Sequence, residues 1–159
     1  IANEFLKMDG ALGRLTQMHL QKLVYIAHGW KLALVGEPLA DDVIEAWDYG
    51  PVFPDLYEHT KYNGKIPFSR LIARTDGNPF AFFDKDHVNT PYSADLSNTD
   101  REILSRVWKK YGRLSAFKLS DLTHKPNTPW FKAFHNHGKR SKIDDSEIQI
   151  HYSRLADAA

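Results

Sequence analysis

The sequence predicts a mainly α-helical domain, compact and built around one central apolar helix, with a small β element. Three observations carry that prediction. Residues 16–36 hold apolar side chains at three- and four-residue spacing around most of a helical circumference. The segments 97–112, 114–123, 128–134 and 144–155 repeat the pattern of a capping residue followed by helically spaced apolar residues. Strand-like alternation is confined to Val43–Trp47, with a further short piece expected between Leu71 and Phe83. Six or seven helices in one domain spanning 1–159 are expected.

In chain order, Ile1–Met8 reads as a helix with Ile1, Phe5 and Met8 on one face, broken by Asp9-Gly10. Thr16 is the expected N-cap of the central helix, and Gly36 its left-handed stop, with Pro38 just beyond. Leu20, Leu23, Val24, Ala27, Trp30 and Leu34 form its stripe, and Met18, Tyr25, Ile26, Leu32 and Val35 cover much of the rest. Lys22 lies among these buried neighbours, so its ammonium needs an outlet to water or a partner. Glu45, flanked by apolar residues on a short extended segment, is the expected partner. Tyr49-Gly50-Pro51 then turns the chain: Gly50 reaches backbone angles other residues avoid, and Pro51 fixes its own φ.

Pro54 opens a helix expected to run to Tyr62, with Asp55 and Glu58 placed to favour its dipole. Residues 66–94, punctuated by Pro67, Gly77, Pro79 and Pro91, read as loop with one hairpin. Ser97 or Thr99 caps a helix through Tyr111, stopped by Gly112. Ser115 caps another that is expected to bury Phe117, Leu119 and Leu122. Thr128-Pro129-Trp130 has the order of N-cap, first-turn proline and second residue. Asp144 and Glu147 stand at capping-box spacing ahead of Ile148, Tyr152 and Leu155. The basic run His135–Lys142 reads as a solvated loop.

Composition limits function. Twenty-one basic against 20 acidic residues, a net charge of +1, gives no broad field toward nucleic acid or anionic lipid. Without cysteine there is neither disulfide nor thiolate metal site. No apolar run is long enough to span a bilayer, and the expected location is the cytoplasm. The chain has no phosphate-binding glycine loop, nucleophile elbow or zinc-protease motif, so neither an enzyme nor a cofactor is expected. His124, His135, His137 and His151 lack a frame for a metal. Asp84, Asp86 and His87 leave a metal-dependent nuclease or other hydrolase as an alternative, beside a structural phage or prophage protein.

Leu20-Gln21-Lys22-Leu23, Tyr25, Gly29-Trp30, Glu45-Ala46-Trp47, Tyr49-Gly50-Pro51-Val52 and Tyr57, at this mutual spacing, closely resemble the signature of the Panacea domain, the SocA-like antitoxin family often found in prophages. Leu114-Ser115, Leu122, His124 and Pro129-Trp130 resemble its later part, and His28 stands where the family often has glutamine. The resemblance implies an antitoxin that neutralises a cognate toxin protein by direct binding. One family member instead delivers its toxin to a protease, so a protease or chaperone unfoldase is a further implied partner. Within the signature, Lys22, Tyr25, Trp30, Glu45, Trp47, Gly50 and Pro51 are expected to serve packing. Tyr49, Phe53, Tyr57, His124, Trp130 and Phe131 are the expected partner-binding residues, exposed on one face as aromatic anchors.

Overall fold

The computed structural model describes residues 1–74 and 89–158. Among these, seven α-helices and one two-stranded sheet follow in the order α1 (Ala2–Leu6), α2 (Gln17–Val35), β1 (Glu45–Trp47), β2 (Gly50–Val52), α3 (Pro54–Thr60), α4 (Asn98–Tyr111), α5 (Ala116–His124), α6 (Pro129–His137) and α7 (Asp145–Asp157). A 3₁₀ turn, Lys61–Asn63, follows α3.

The centre is α2, which packs against α7, α4, α5, β2, α1 and α3. Its start is fixed by Thr16, whose backbone N–H donates to His19 Nδ1 at 3.1 Å. Gly36 ends it at φ +79°, the left-handed conformation that glycine takes without steric cost. Leu20, Leu23, Val24, Tyr25, Ile26 and Ala27 are all buried, as the apolar pattern requires, but Leu34 and Val35 on the last turn are exposed. Gly29 lets α7 approach: a Cβ there would fall 2.2 Å from the Tyr152 ring. That ring meets Trp30 edge-on at 5.4 Å and Tyr25 at 6.2 Å.

Four polar side chains of α2 are buried with the apolar ones: Gln21, Lys22, His28 and Lys31. Lys31 donates to Asp100 at 2.6 Å, and Asp100 in turn accepts from the Ser97 backbone N–H and hydroxyl at 3.0 and 2.8 Å. Burial raises the Asp100 carboxyl, and the bonds from Lys31 and Ser97 outweigh it, leaving the carboxyl below its ordinary range. His28 Nε2 meets Asp145 at 2.9 Å, tying α2 to the start of α7.

Several local expectations are corrected. The first helix is shorter than Ile1–Met8, ending at Leu6, and its Asn3 is buried and hydrogen-bonded to the backbone of Ile72 and Tyr92. Gly112 ends α4 in a right-handed conformation, φ −60°; a Cβ there would lie 2.5 Å from Trp108, so packing explains the glycine. Asp144 caps α7 without the predicted box, since Glu147 pairs with Lys132 at 2.7 Å and Asp144 with Lys142 at 2.9 Å. Phe117, expected inside, is 71% exposed.

The basic run is not a free loop. His135 and His137 complete α6, and the chain after it docks along the outer edge of β1. Arg140 N–H donates to Ala46 O at 2.7 Å, Ala46 N–H to Ser141 O at 2.9 Å, and Ile143 N–H to Ile44 O at 2.8 Å. Ala73 bridges Pro91 within the 66–94 stretch expected to hold a hairpin; most of the strand piece expected between Leu71 and Phe83 lies outside the described residues, as do Asp84, Asp86 and His87.

Candidate functional site

The tight turn joining β1 to β2 is held by side chains rather than by the sheet alone. The two strands pair antiparallel with Glu45 opposite Val52 and Trp47 opposite Gly50, too few residues to be stable unaided. Successive carbonyls of the turn are instead taken up by α2, α5 and α6. Trp130 Nε1 donates to Trp47 O at 2.8 Å, and His124 Nε2 lies 3.3 Å from Asp48 O. Ser120 Oγ donates to Tyr49 O at 2.9 Å, and Lys22 Nζ to Pro51 O at 2.9 Å. Gln21 closes the series on Phe53, accepting from its N–H at 2.8 Å and donating to its O at 3.2 Å. Gly50 sits at φ +105°, where a Cβ would meet Thr123 Oγ1 at 2.7 Å and Lys22 Cε at 2.8 Å. Both the conformation and the space demand glycine.

Lys22 is 1% exposed, and its partner is the Pro51 carbonyl. The expected pair with Glu45 does not form: Glu45 Oε2 accepts from Trp47 Nε1 at 2.7 Å. With no described carboxylate within ion-pair distance, burial pushes the Lys22 ammonium down to about 7.

What the held turn presents is aromatic. Tyr49 is 69% exposed at its tip. Tyr57, half-buried, packs its ring 4.9 Å from that of Trp47, and the Arg140 guanidinium lies 4.5 Å above the Trp47 ring. Beside the turn runs a groove of about 680 Å³ bounded by Met18, Lys22, Trp47, Tyr49, Tyr57 and Phe117, with Lys65, Lys139, Arg140 and Asp48 contributing charge.

The sequence-predicted contact residues divide. Tyr49 and Tyr57 line the groove. Phe53 is 2% exposed and belongs to the core, which corrects its reading as an exposed anchor; the Gln21 clamp draws it inward. Trp130 is buried as well, its indole N–H spent on Trp47 O, and it stacks on Phe134 at 4.8 Å. His124, half-buried, lies 3.8 Å from the Trp130 ring. Phe131 is half-buried against the core, 4.2 Å from His135. The turn and the His124–Trp130 stretch therefore meet, but the second supports the first from beneath. Sequence reasoning gave no role at the turn or groove to Gln21, Ser120, Lys139 or Arg140, and placed Phe117 in the core. The adjacent polar pair Gln21-Lys22 between the apolar Leu20 and Leu23 was the legible signal for the clamp.

Among the described residues, no group of three or more histidine or acidic side chains is arranged to hold a metal, and no helix is long and apolar enough to cross a membrane.

The residues that lock the turn, from Gln21 to Trp130, fall within the stretch 20–131 that the model of the SocA-like antitoxin family, Panacea domain, matches. The chain belongs to this family. It is 33% identical over 132 residues to antitoxin SocA of Caulobacter vibrioides (strain NA1000 / CB15N), an alignment covering 82% of this chain and 66% of that protein. No solved structure matches it. Family membership supports an antitoxin role, and it gives the signature a physical meaning. Gln21-Lys22 and Tyr49-Gly50-Pro51-Val52 belong to one hydrogen-bonded assembly, although 26 or more residues separate them in the chain.

Proposed function

We propose that this chain neutralises a cognate toxin protein by binding it directly, through the surface formed by Tyr49, Tyr57 and the adjoining groove. The observation that carries the reading is the combination, at the family signature, of an immobilised backbone with an exposed aromatic tip. Fixing a binding loop before the encounter removes ordering entropy that association would otherwise cost. Large aromatic side chains on such a support are the usual energetic anchors of protein interfaces. His124, Trp130, Gln21 and Lys22 act in this reading as supports of the loop.

Co-expression with the product of each adjacent reading frame tests it. The expected result is that one such product arrests growth alone, that this chain restores growth, and that the two co-purify. The abundance of that product during rescue separates two routes: a constant level marks sequestration, and a level that falls in a protease-dependent way marks delivery for degradation. If neither neighbour is toxic, or rescue proceeds without physical association, direct neutralisation is wrong.

A further inference from the structure

The groove beside the turn has a charge that the chain as a whole lacks. Across the full sequence 21 basic residues nearly cancel 20 acidic ones. On the described lining of the groove, the rim cations Lys65, Lys139 and Arg140 face one carboxylate, Asp48. Asp48 is already engaged, 2.8 Å from Lys139. Arg140 holds a left-handed backbone conformation, φ +62°, unusual for a non-glycine residue. Its N–H bond to Ala46 O keeps it there, with the guanidinium over Trp47. Below the rim lies the buried Lys22, which makes one hydrogen bond among the described residues although an ammonium has three N–H donors. Apolar surface completes the groove: Phe117, 71% exposed, together with Met18, Tyr49 and Tyr57.

We infer that this groove receives an acidic protein segment carrying aromatic or aliphatic side chains, its carboxylates taken by Lys139, Arg140 and Lys65 and its apolar groups by Met18, Tyr57 and Phe117. The inference rests on the reading of the chain as a protein-binding module and names the chemistry of what it binds. Lys139 exchanges Asp48 for the incoming carboxylate. Asp48 is therefore an internal competitor that weakens binding and lowers the attraction for small anions. Cations at an exposed rim act mainly on encounter and selectivity, so the signature is salt dependence and discrimination by charge.

The test uses fluorescence anisotropy with a labelled dodecapeptide of repeating Glu, Leu and Trp, its Gln and Lys counterparts, and an oligouridylate of equal length. The Glu peptide is expected to bind about tenfold more tightly than the Gln peptide and to leave the Lys peptide unbound. Its affinity should fall about tenfold between about 50 and about 300 mM NaCl. Lys139→Glu with Arg140→Glu should weaken it about tenfold, and Lys65→Glu, on residues outside the β1 edge, about threefold. Asp48→Asn should tighten it about twofold to threefold. Equal binding of the Glu and Gln peptides, no binding of either, tighter binding of the oligouridylate, or indifference to Lys65→Glu in a protein that melts normally each overturns the inference. A chain that captures and neutralises a neighbouring toxin yet fails this peptide test retains the proposed function and loses only the acidic-segment assignment. Peptide binding without any toxin partner does the reverse.

Discussion

Two lysines about two and a half turns apart on α2 are buried to nearly the same depth, Lys22 at 1% and Lys31 at 5% exposure, and they are built into the protein in opposite ways. Lys31 finds a carboxylate, Asp100, which is itself fixed at the start of α4 by Ser97; Glu37 stands 3.6 Å away on the outer side. Lys22 finds a backbone carbonyl, that of Pro51. The first arrangement joins two helices and compensates the charge. The second leaves the charge only partly compensated and spends the side chain on a turn that carries the exposed Tyr49. Burial depth alone therefore does not separate a lysine that joins two helices from one that shapes an exposed turn; the partner does.

The sharpest way to break this contrast is to remove each lysine. Lys31→Met leaves Asp100 buried without its cation, and stability is expected to fall by about 3 to 5 kcal/mol, as for other broken buried pairs. Urea unfolding at neutral pH measures it. A loss under about 1 kcal/mol would show that Ser97 alone satisfies Asp100.

Lys22 is expected to act through pH. Its folded value, about 7, lies below the ordinary lysine value of 10.5, so between these the folded state holds fewer protons than the unfolded chain. Stability contributed by this group therefore rises with pH from about 7 to about 10, by about 3 kcal/mol over that window. Above it, ionisation of Tyr25 and Tyr152, both raised by burial, favours unfolding instead. Lys22→Met should abolish the rise while costing about 1 kcal/mol for the lost bond to Pro51 O. Parallel urea curves for the two proteins at each pH check it; identical pH profiles would refute a desolvated ammonium at this position.

The contrast also explains what was legible in the sequence. Periodicity and capping residues placed α2, α4, α5, α6 and α7 because Thr16, Ser97, Ser115, Thr128 and Asp144 mark helix starts locally, within three residues of the groups they cap. Lys22 stood out as a polar residue among apolar ones, but its partner could not be read. Glu45 and Pro51 stand on the two strands that flank the same turn, and a carbonyl has no identity in a sequence. For the same reason Ser120 carried no signal, the partner of Gln21 on the turn could not be read, and Phe53 reads from the sequence as an exposed anchor. The docking of 138–143 on β1 was hidden because its hydrogen bonds are all main-chain, and its side chains read as solvent-facing, which most of them are.

Tyr49 provides the most direct measurement of the central claim, that a turn locked by α2, α5 and α6 presents a binding surface rather than closing the core. The Tyr49 side chain is largely exposed, and its backbone carbonyl, not its ring, is what Ser120 holds. Tyr49→Ala should therefore melt within about 0.5 kcal/mol of the parent, while its affinity for the proposed toxin partner falls by about 2 kcal/mol, about thirtyfold in Kd. Calorimetric titration and a thermal melt on the same preparation give both values. Early melting with binding lost only in proportion, or unchanged affinity in a stable variant, would contradict the account.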